Sequence, residues 1–202
     1  MKASRRLTAV TAAAVAAFVG ATFSAPAQAY PPGQGIVVIG NHTHAVVNQK
    51  VTFTARKLKP GASVLIKLVG TTKGKTVKAD DKGVAVVTLS PEKTGSYLVI
   101  AKAKNETTGR TKLYVPSFSY ELTGAAPAGS KNTFLGQDFR PYVFVTFRIN
   151  GNDFRGQSNS KGNVQIKFTM PSKKKTYNPP VFINTKWLTS GHENTALRII
   201  AN

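Results

Sequence analysis

Three histidines, eight carboxylates and no cysteine make up the reactive inventory of this 202-residue chain. Thiolate ligands, thiol nucleophiles, disulfides and lipid-modified cysteines are excluded outright. His42 and His44 are spaced i, i+2, which on a strand places both imidazoles on one face, so Asn41-His42-Thr43-His44 comes nearest to a metal site. Zinc needs a third and usually a fourth ligand, and no Asp, Glu or His lies nearby in sequence to complete the set. An ordinary polar loop or strand end is expected there. Asp80 and Asp81 invite a calcium reading, but a hard cation takes six or more oxygens and the surroundings are rich in lysine. A turn before Gly83 is expected instead. No phosphate-binding glycine loop, hydrolase elbow or separated carboxylate pair is present, so no set of catalytic roles can be filled. The chain is expected to be no enzyme and to carry no cofactor or metal. Asn41-His42-Thr43 and Asn105-Glu106-Thr107 match the glycosylation acceptor pattern, which matters only in a host with that machinery.

Binding chemistry is better supplied. Lys and Arg number 28 against 8 acids, a net charge of +20. Lys2, Arg5 and Arg6 precede an apolar run from Ala12 to Val19 and then Ala27-Gln28-Ala29, the three-part layout of a secretory signal. The apolar run falls short of the roughly 20 residues needed to span a bilayer. Export with cleavage after Ala29 is the expectation, by the general secretory route, although Ser4-Arg5-Arg6 faintly resembles a twin-arginine signal. Tyr30 to Asn202 then carries 25 basic and 8 acidic residues, a net charge of +17. Such a charge speeds encounter with anions and favours adsorption to polyanions, which outside a bacterium means wall polymer, acidic polysaccharide, lipid headgroups or free DNA. The tail Arg198-Ile199-Ile200-Ala201-Asn202 shows no sorting motif. Surface retention is therefore expected to be noncovalent.

The elements that must position these groups show up as an internal repeat. Thr52-Phe53 and Leu58-Lys59-Pro60 recur at one constant offset as Thr133-Phe134 and Phe139-Arg140-Pro141, and Val64, Ile66, Leu68 recur as Val145, Phe147, Ile149. Lys82-Gly83 recurs as Lys161-Gly162, and Pro91 as Pro171. Within each copy the apolar period is two, as in Val164, Ile166, Phe168, which marks strands with one buried face. Turn signals such as Pro60-Gly61, Asp81-Lys82-Gly83, Asn150-Gly151 and Lys161-Gly162 punctuate the strands, and no helical stretch intervenes. Strands so spaced predict an all-β sandwich or barrel. Two copies fill the mature chain, with residues 30–116 and 117–202 as the expected domains after a signal peptide at 1–29.

Leu58-Lys59-Pro60-Gly61 with the Val64, Ile66, Leu68 strand, then Asp80-Asp81-Lys82-Gly83 and Thr94-Gly95-Ser96-Tyr97-Leu98-Val99, resembles the bacterial immunoglobulin-like domain repeats of secreted surface proteins in high-GC Gram-positive bacteria. The resemblance implies two tandem immunoglobulin-like β-sandwich domains and a role in adhesion, spacing or scaffolding, without deciding which. Gly95-x-Tyr97-x-Val99 also resembles a tyrosine-corner segment. Tyr177-Asn178-Pro179-Pro180 replaces that segment in the second copy, so the corner pattern is broken there.

Alternation then sorts the side chains. With Val143, Val145, Phe147 and Ile149 inward, Tyr142, Phe144, Thr146 and Arg148 turn outward. With Val181, Ile183 and Thr185 inward on the penultimate strand, Phe182, Asn184 and Lys186 turn outward, and Leu197 and Ile199 on the last strand leave Arg198 outside. In sandwiches of this kind the third, penultimate and last strands share a sheet, so Tyr142, Phe144, Arg148, Phe182, Lys186 and Arg198 are expected to form one aromatic and basic face. In the first copy Lys67, Lys102, Lys104 and Lys112 form a basic counterpart. Phe134, Phe139, Phe147 and Phe168 are assigned to the core. Packing against the first domain or cover by a loop would explain the outer face; a ligand or self-association surface is the alternative. Lys173-Lys174-Lys175 follows Pro171 and is expected to be a solvated run, with contact to a phosphate polymer as the alternative.

These features together predict a secreted, strongly basic, noncatalytic binding or scaffolding protein of the cell envelope, extracellular or noncovalently wall-associated. Its partner would be an anionic wall polymer or polysaccharide, or a surface protein, with self-association possible. An extracellular nucleic-acid or biofilm-matrix binder, with aromatics stacking bases, and a subunit of a surface fibre are the alternatives.

Overall fold

Alternation is realised strand by strand. Val51, Phe53 and Ala55 are buried while Thr52 and Thr54 between them are half-buried, and Val164, Ile166 and Phe168 are buried while Gln165 and Lys167 are exposed. The computed structural model describes residues 35–121, 127–173, 176–184, 186–189 and 199–200. The signal sequence and its cleavage site, His192, Leu197, Arg198, Lys174, Lys175 and Thr185 lie outside them.

Sixteen strands form among the described residues. The first half holds β1 (Val37–Gly40), β2 (Val51–Arg56), β3 (Ser63–Leu68), β4 (Gly74–Lys78), β5 (Ala85–Leu89), β6 (Gly95–Ala103) and β7 (Gly109–Val115). The second holds β8 (Ser117–Glu121), β9 (Lys131–Gln137), β10 (Phe144–Ile149), β11 (Asn152–Gln157), β12 (Val164–Thr169), β13 (Thr176–Tyr177), β14 (Val181–Ile183), β15 (Lys186–Thr189) and β16 (Ile199–Ile200). In the first half a three-stranded sheet, β1-β2-β5, and a four-stranded sheet, β4-β3-β6-β7, are built from antiparallel pairs; the second half repeats the plan as β12-β9-β8 and β11-β10-β14-β15. The described residues are thus all-β, and the repeat seen in sequence is also a repeat of topology.

Each pair of sheets has its own core. The first gathers Phe53, Leu58, Ile66, Leu68 and Leu113, and the second gathers Phe134, Phe139, Phe147, Ile149 and Met170, all buried. The second is aromatic: Phe147 stacks on Phe134 at 5.1 Å and meets Phe168 edge-on at 4.9 Å. Burying one such ring contributes about 1.5 to 3 kcal/mol, and each favourable ring pair about 0.5 to 1.5 more. Phe134, Phe139, Phe147 and Phe168 fall in the core as their repeat positions require.

The turns repeat in detail. Asp80 Oδ1 accepts the amides of Lys82 and Val84 at 3.0 and 2.8 Å, and Asn159 Oδ1 accepts those of Lys161 and Asn163 at 2.9 and 3.0 Å. An Asx turn of this kind lets a side chain stand in for backbone, which is the use the protein makes of Asp80. The same pattern holds for left-handed residues: Lys57 matches Asp138, Gly70 matches Gly151, and Gly61 at φ 71° matches Tyr142 at φ 59°.

Three expectations are corrected. Tyr177 does form a corner: its hydroxyl donates to Lys173 O at 2.9 Å, just as Tyr97 donates to Lys93 O at 2.7 Å. The bond needs only a carbonyl four residues upstream, not the flanking glycine and valine. The penultimate strand does not run on to Lys186, because Asn184 turns the chain at φ 46° and β15 folds back on β14. The last strand, β16, pairs with β13 and not with the four-stranded sheet, so β15 takes the place assigned to it.

Candidate functional site

The outer face of β11-β10-β14 is set by the register that buries Val145 and Phe147. Phe144 stands opposite Gln157, Thr146 opposite Arg155 and Phe182, and Arg148 opposite Asp153. Phe144 is 50% exposed and Tyr142, just before the strand, is 66% exposed. Tyr142 sits in the turn after Pro141, its N–H donating to Ser158 O at 3.1 Å and its carbonyl accepting from Gln157 Nε2 at 3.3 Å.

Thr146 is outward-facing but only 7% exposed, because Arg155 Nε donates to its hydroxyl at 3.2 Å. The exposed Thr146 expected from alternation is thereby corrected: a side chain can point away from the core and still be covered by its cross-strand partner. Arg148 is likewise engaged. Its Nε and Nη2 reach Asp153 at 2.5 and 3.0 Å, and its guanidinium lies 5.3 Å from the Phe182 ring centre. The hydrogen bond from Arg148 holds the Asp153 carboxyl below its usual range, and the same bond raises Arg148. Phe182, half-buried, is a platform for this arginine. Lys186 is exposed at the start of β15.

In the first half Lys67, Lys102 and Lys112 share the outer face of β3, β6 and β7, where Lys67 opposes Ile100, Leu65 opposes Lys102, and Leu98 opposes Lys112. Arg110, opposite Ile100, joins them and was missed in the sequence, although it precedes Lys112 by two on one strand. Lys104 lies beyond β6 in a turn and does not belong to the face. Lys173 is exposed after Pro171 and lends its carbonyl to Tyr177. Among the described residues only Lys73–Glu92 and Arg148–Asp153 form ion pairs.

His44 is a structural histidine. It is 9% exposed, stacks on Tyr114 at 5.4 Å and tilts against Phe139 at 6.2 Å. Its Nε2 accepts the amide of Arg140 at 3.0 Å, joining the first sheet pair to a turn of the second, and its Nδ1 meets Thr43 Oγ1 at 3.2 Å. Burial first, and the Arg140 charge second, push its pKa down to about 4 from 6.5. His42, by contrast, is exposed. Beside them, residues 43–45 run parallel to β7, with Ala45 N donating to Tyr114 O and Tyr114 N to Thr43 O, each at 2.9 Å. No group of three or more His, Asp or Glu that could hold a metal occurs among the described residues, and none of their helices is long and apolar enough to cross a membrane.

No family model matches the chain, and no curated protein does. Among solved structures it is similar to invasin, a bacterial integrin-binding protein, at 12% identity and TM-score 0.37, over 83% of this chain and 39% of that one. It is similar to the D0-D1 domain of intimin at 16% identity and TM-score 0.36, over 84% and 97% of the two chains. It is also similar to a C-terminal 282-residue intimin fragment in complex with the intimin-binding domain of the translocated intimin receptor, at 17% identity and TM-score 0.44, over 83% and 64%. The chain thus spans well under half of the invasin structure and just under two thirds of the intimin fragment.

Proposed function

We propose that the chain is an exported, noncatalytic envelope protein of two tandem immunoglobulin-like sandwiches, residues 30–116 and 117–202, released from a signal peptide after Ala29. Its excess of positive charge holds it near anionic envelope polymer, and the outer face around Tyr142 and Phe144 makes the contact that outlasts salt.

The observation that carries this reading is Tyr142. The equivalent turn of the first copy uses Gly61 at φ 71°, the residue for which a left-handed backbone is free of steric cost. The second copy places a tyrosine at φ 59° and leaves it 66% exposed. A side chain there costs about 1 to 2 kcal/mol of backbone strain, and an exposed ring recovers little of that by burial. Strain kept at an exposed aromatic points to a use outside folding. Phe144, two residues on and 50% exposed, adds a second exposed ring, and apolar contact is not screened by salt as charges are.

Tyr142→Gly is the discriminating variant. It should unfold within about 1 kcal/mol of the parent, on the stable side, since relief of strain offsets the added freedom of the unfolded chain. Retention on isolated cell walls at high salt should nevertheless fall at unchanged net charge. Walls stripped of anionic polymer should retain neither protein. Salt-resistant retention unchanged in Tyr142→Gly, or full displacement of the parent by free DNA, would overturn the reading.

A further inference from the structure

Where residues 40–44 approach the second sheet pair, the surface sinks into a cleft of about 270 Å³. Among the described residues Arg140 and Lys186 line it and no carboxylate does, and neither cation takes part in the ion pairs found among them. Asn41 stands on the rim, its side-chain oxygen already accepting from Thr52 N at 2.9 Å, which leaves its amide hydrogens to donate. The lining is mixed: the buried Val143, Ile183 and Leu188 give it an apolar part, and His42, Thr43, His44 and Asn184 give further polar groups.

These features select a ligand by elimination. Two cations without a carboxylate call for an anion. A bare ion would use the cations and leave the apolar part formed by Val143, Ile183 and Leu188 without a partner, at a cost in hydration wherever it met that part. The ligand therefore has an apolar side as well as a charge, and hydroxyls for the rim amide. The volume corresponds to about nine waters at about 30 Å³ each, room for one ring and small for a drug-sized molecule. The geometry points to a site for a single pyranose unit bearing one anionic group, its C–H face on Val143, Ile183 and Leu188 and its charge between Arg140 and Lys186. This rests on the reading of the protein as a binder of anionic envelope polymer, and names the unit of that polymer that is gripped. The anion is the shared chemistry; a sugar carboxylate and a sugar phosphate are its two sources.

Methyl resonances of Val143, Ile183 and Leu188 report on the cleft directly. Titration of the purified protein with glucuronate or with glucose 1-phosphate should shift them in a saturable way, and whichever titrates more tightly assigns the source. Glucose should not shift them at the same concentrations, and neither should acetate or inorganic phosphate. Arg140→Gln and Lys186→Gln should each weaken binding about tenfold with near-UV circular dichroism unchanged, since both side chains are exposed. Equal shifts with glucose, or none with either acidic sugar, would overturn the site, and so would titrations indifferent to both cation substitutions. Wall retention that depends on Tyr142 while the acidic sugars fail would sink the cleft alone. Saturable acidic-sugar binding with wall retention indifferent to Tyr142 would support the cleft and remove the outer face.

Discussion

Acid should loosen the protein through His44, and the size of the effect follows from the fold. Folded, the imidazole has a pKa of about 4, against 6.5 for the ordinary group. Between those values the unfolded chain binds a proton that the folded chain refuses, so stability falls as pH falls. The contribution is complete above about pH 7.5, is reduced by about 1.4 kcal/mol at pH 5.5 and by about 3 kcal/mol at pH 4, taking about 1.4 kcal/mol per pKa unit. The mechanism is local: a protonated Nε2 can no longer accept from the Arg140 amide, and a charge would be buried beside that residue's own. His44→Gln keeps an acceptor near Nε2 and removes the titration. Urea denaturation of parent and variant at pH 7.5, 5.5 and 4 measures the difference, while groups common to both cancel. The gap between the curves should change by about 3 kcal/mol in favour of the variant on going to pH 4. Parallel pH profiles would show that His44 is not held neutral by its burial, and the account of the joint would fall with it.

Three further outcomes are expected. Tyr97→Phe and Tyr177→Phe should each cost about 0.5 to 1.5 kcal/mol in chemical denaturation, and Tyr177→Phe should cost at least as much, because Tyr177 is the more buried of the two; a silent Tyr177→Phe would refute its corner. Gly162→Ala should destabilise by more than about 2 kcal/mol, because its Cβ would press into Phe139 O at a left-handed φ of 80°. Gly151→Ala, at φ 82° with open space around it, should cost only about 1 kcal/mol; equal thermal shifts would contradict the crowding at Gly162. Protein recovered from culture medium should begin at Tyr30 by intact mass, and a chain keeping Met1 would remove the export reading.

What was legible in the sequence was whatever has a short period. Alternation assigned Val145, Phe147 and Ile149 inward because a strand's faces are fixed by sequence parity, and Gly61, Gly83 and Gly162 marked turns because their backbone demands recur. The Tyr177 corner is hidden from a local motif because its bond needs only the carbonyl of Lys173. Pairing of Arg148 with Asp153 could have been found: Asn150-Gly151, both at positive φ, close a two-residue hairpin that sets Ile149 against Asn152 and hence Arg148 against Asp153. His44 could not. Its partner Arg140 lies in the other copy, and burial at that distance leaves no trace in the residues around Asn41-His42-Thr43-His44.

The short parallel run at Thr43–Ala45 governs how this chain can assemble with copies of itself. An open strand edge is a template on which another chain can grow, and by bonding both backbone groups of Tyr114 this segment occupies that edge near the end of β7. The other edge is β4, whose exposed Lys75 and Lys78 would meet like charges in a second copy docked there. Strand addition at this sheet is thus hindered near Tyr114 at one edge and opposed at the other by electrostatics. Neither edge of that sheet therefore offers an unopposed template along its whole length.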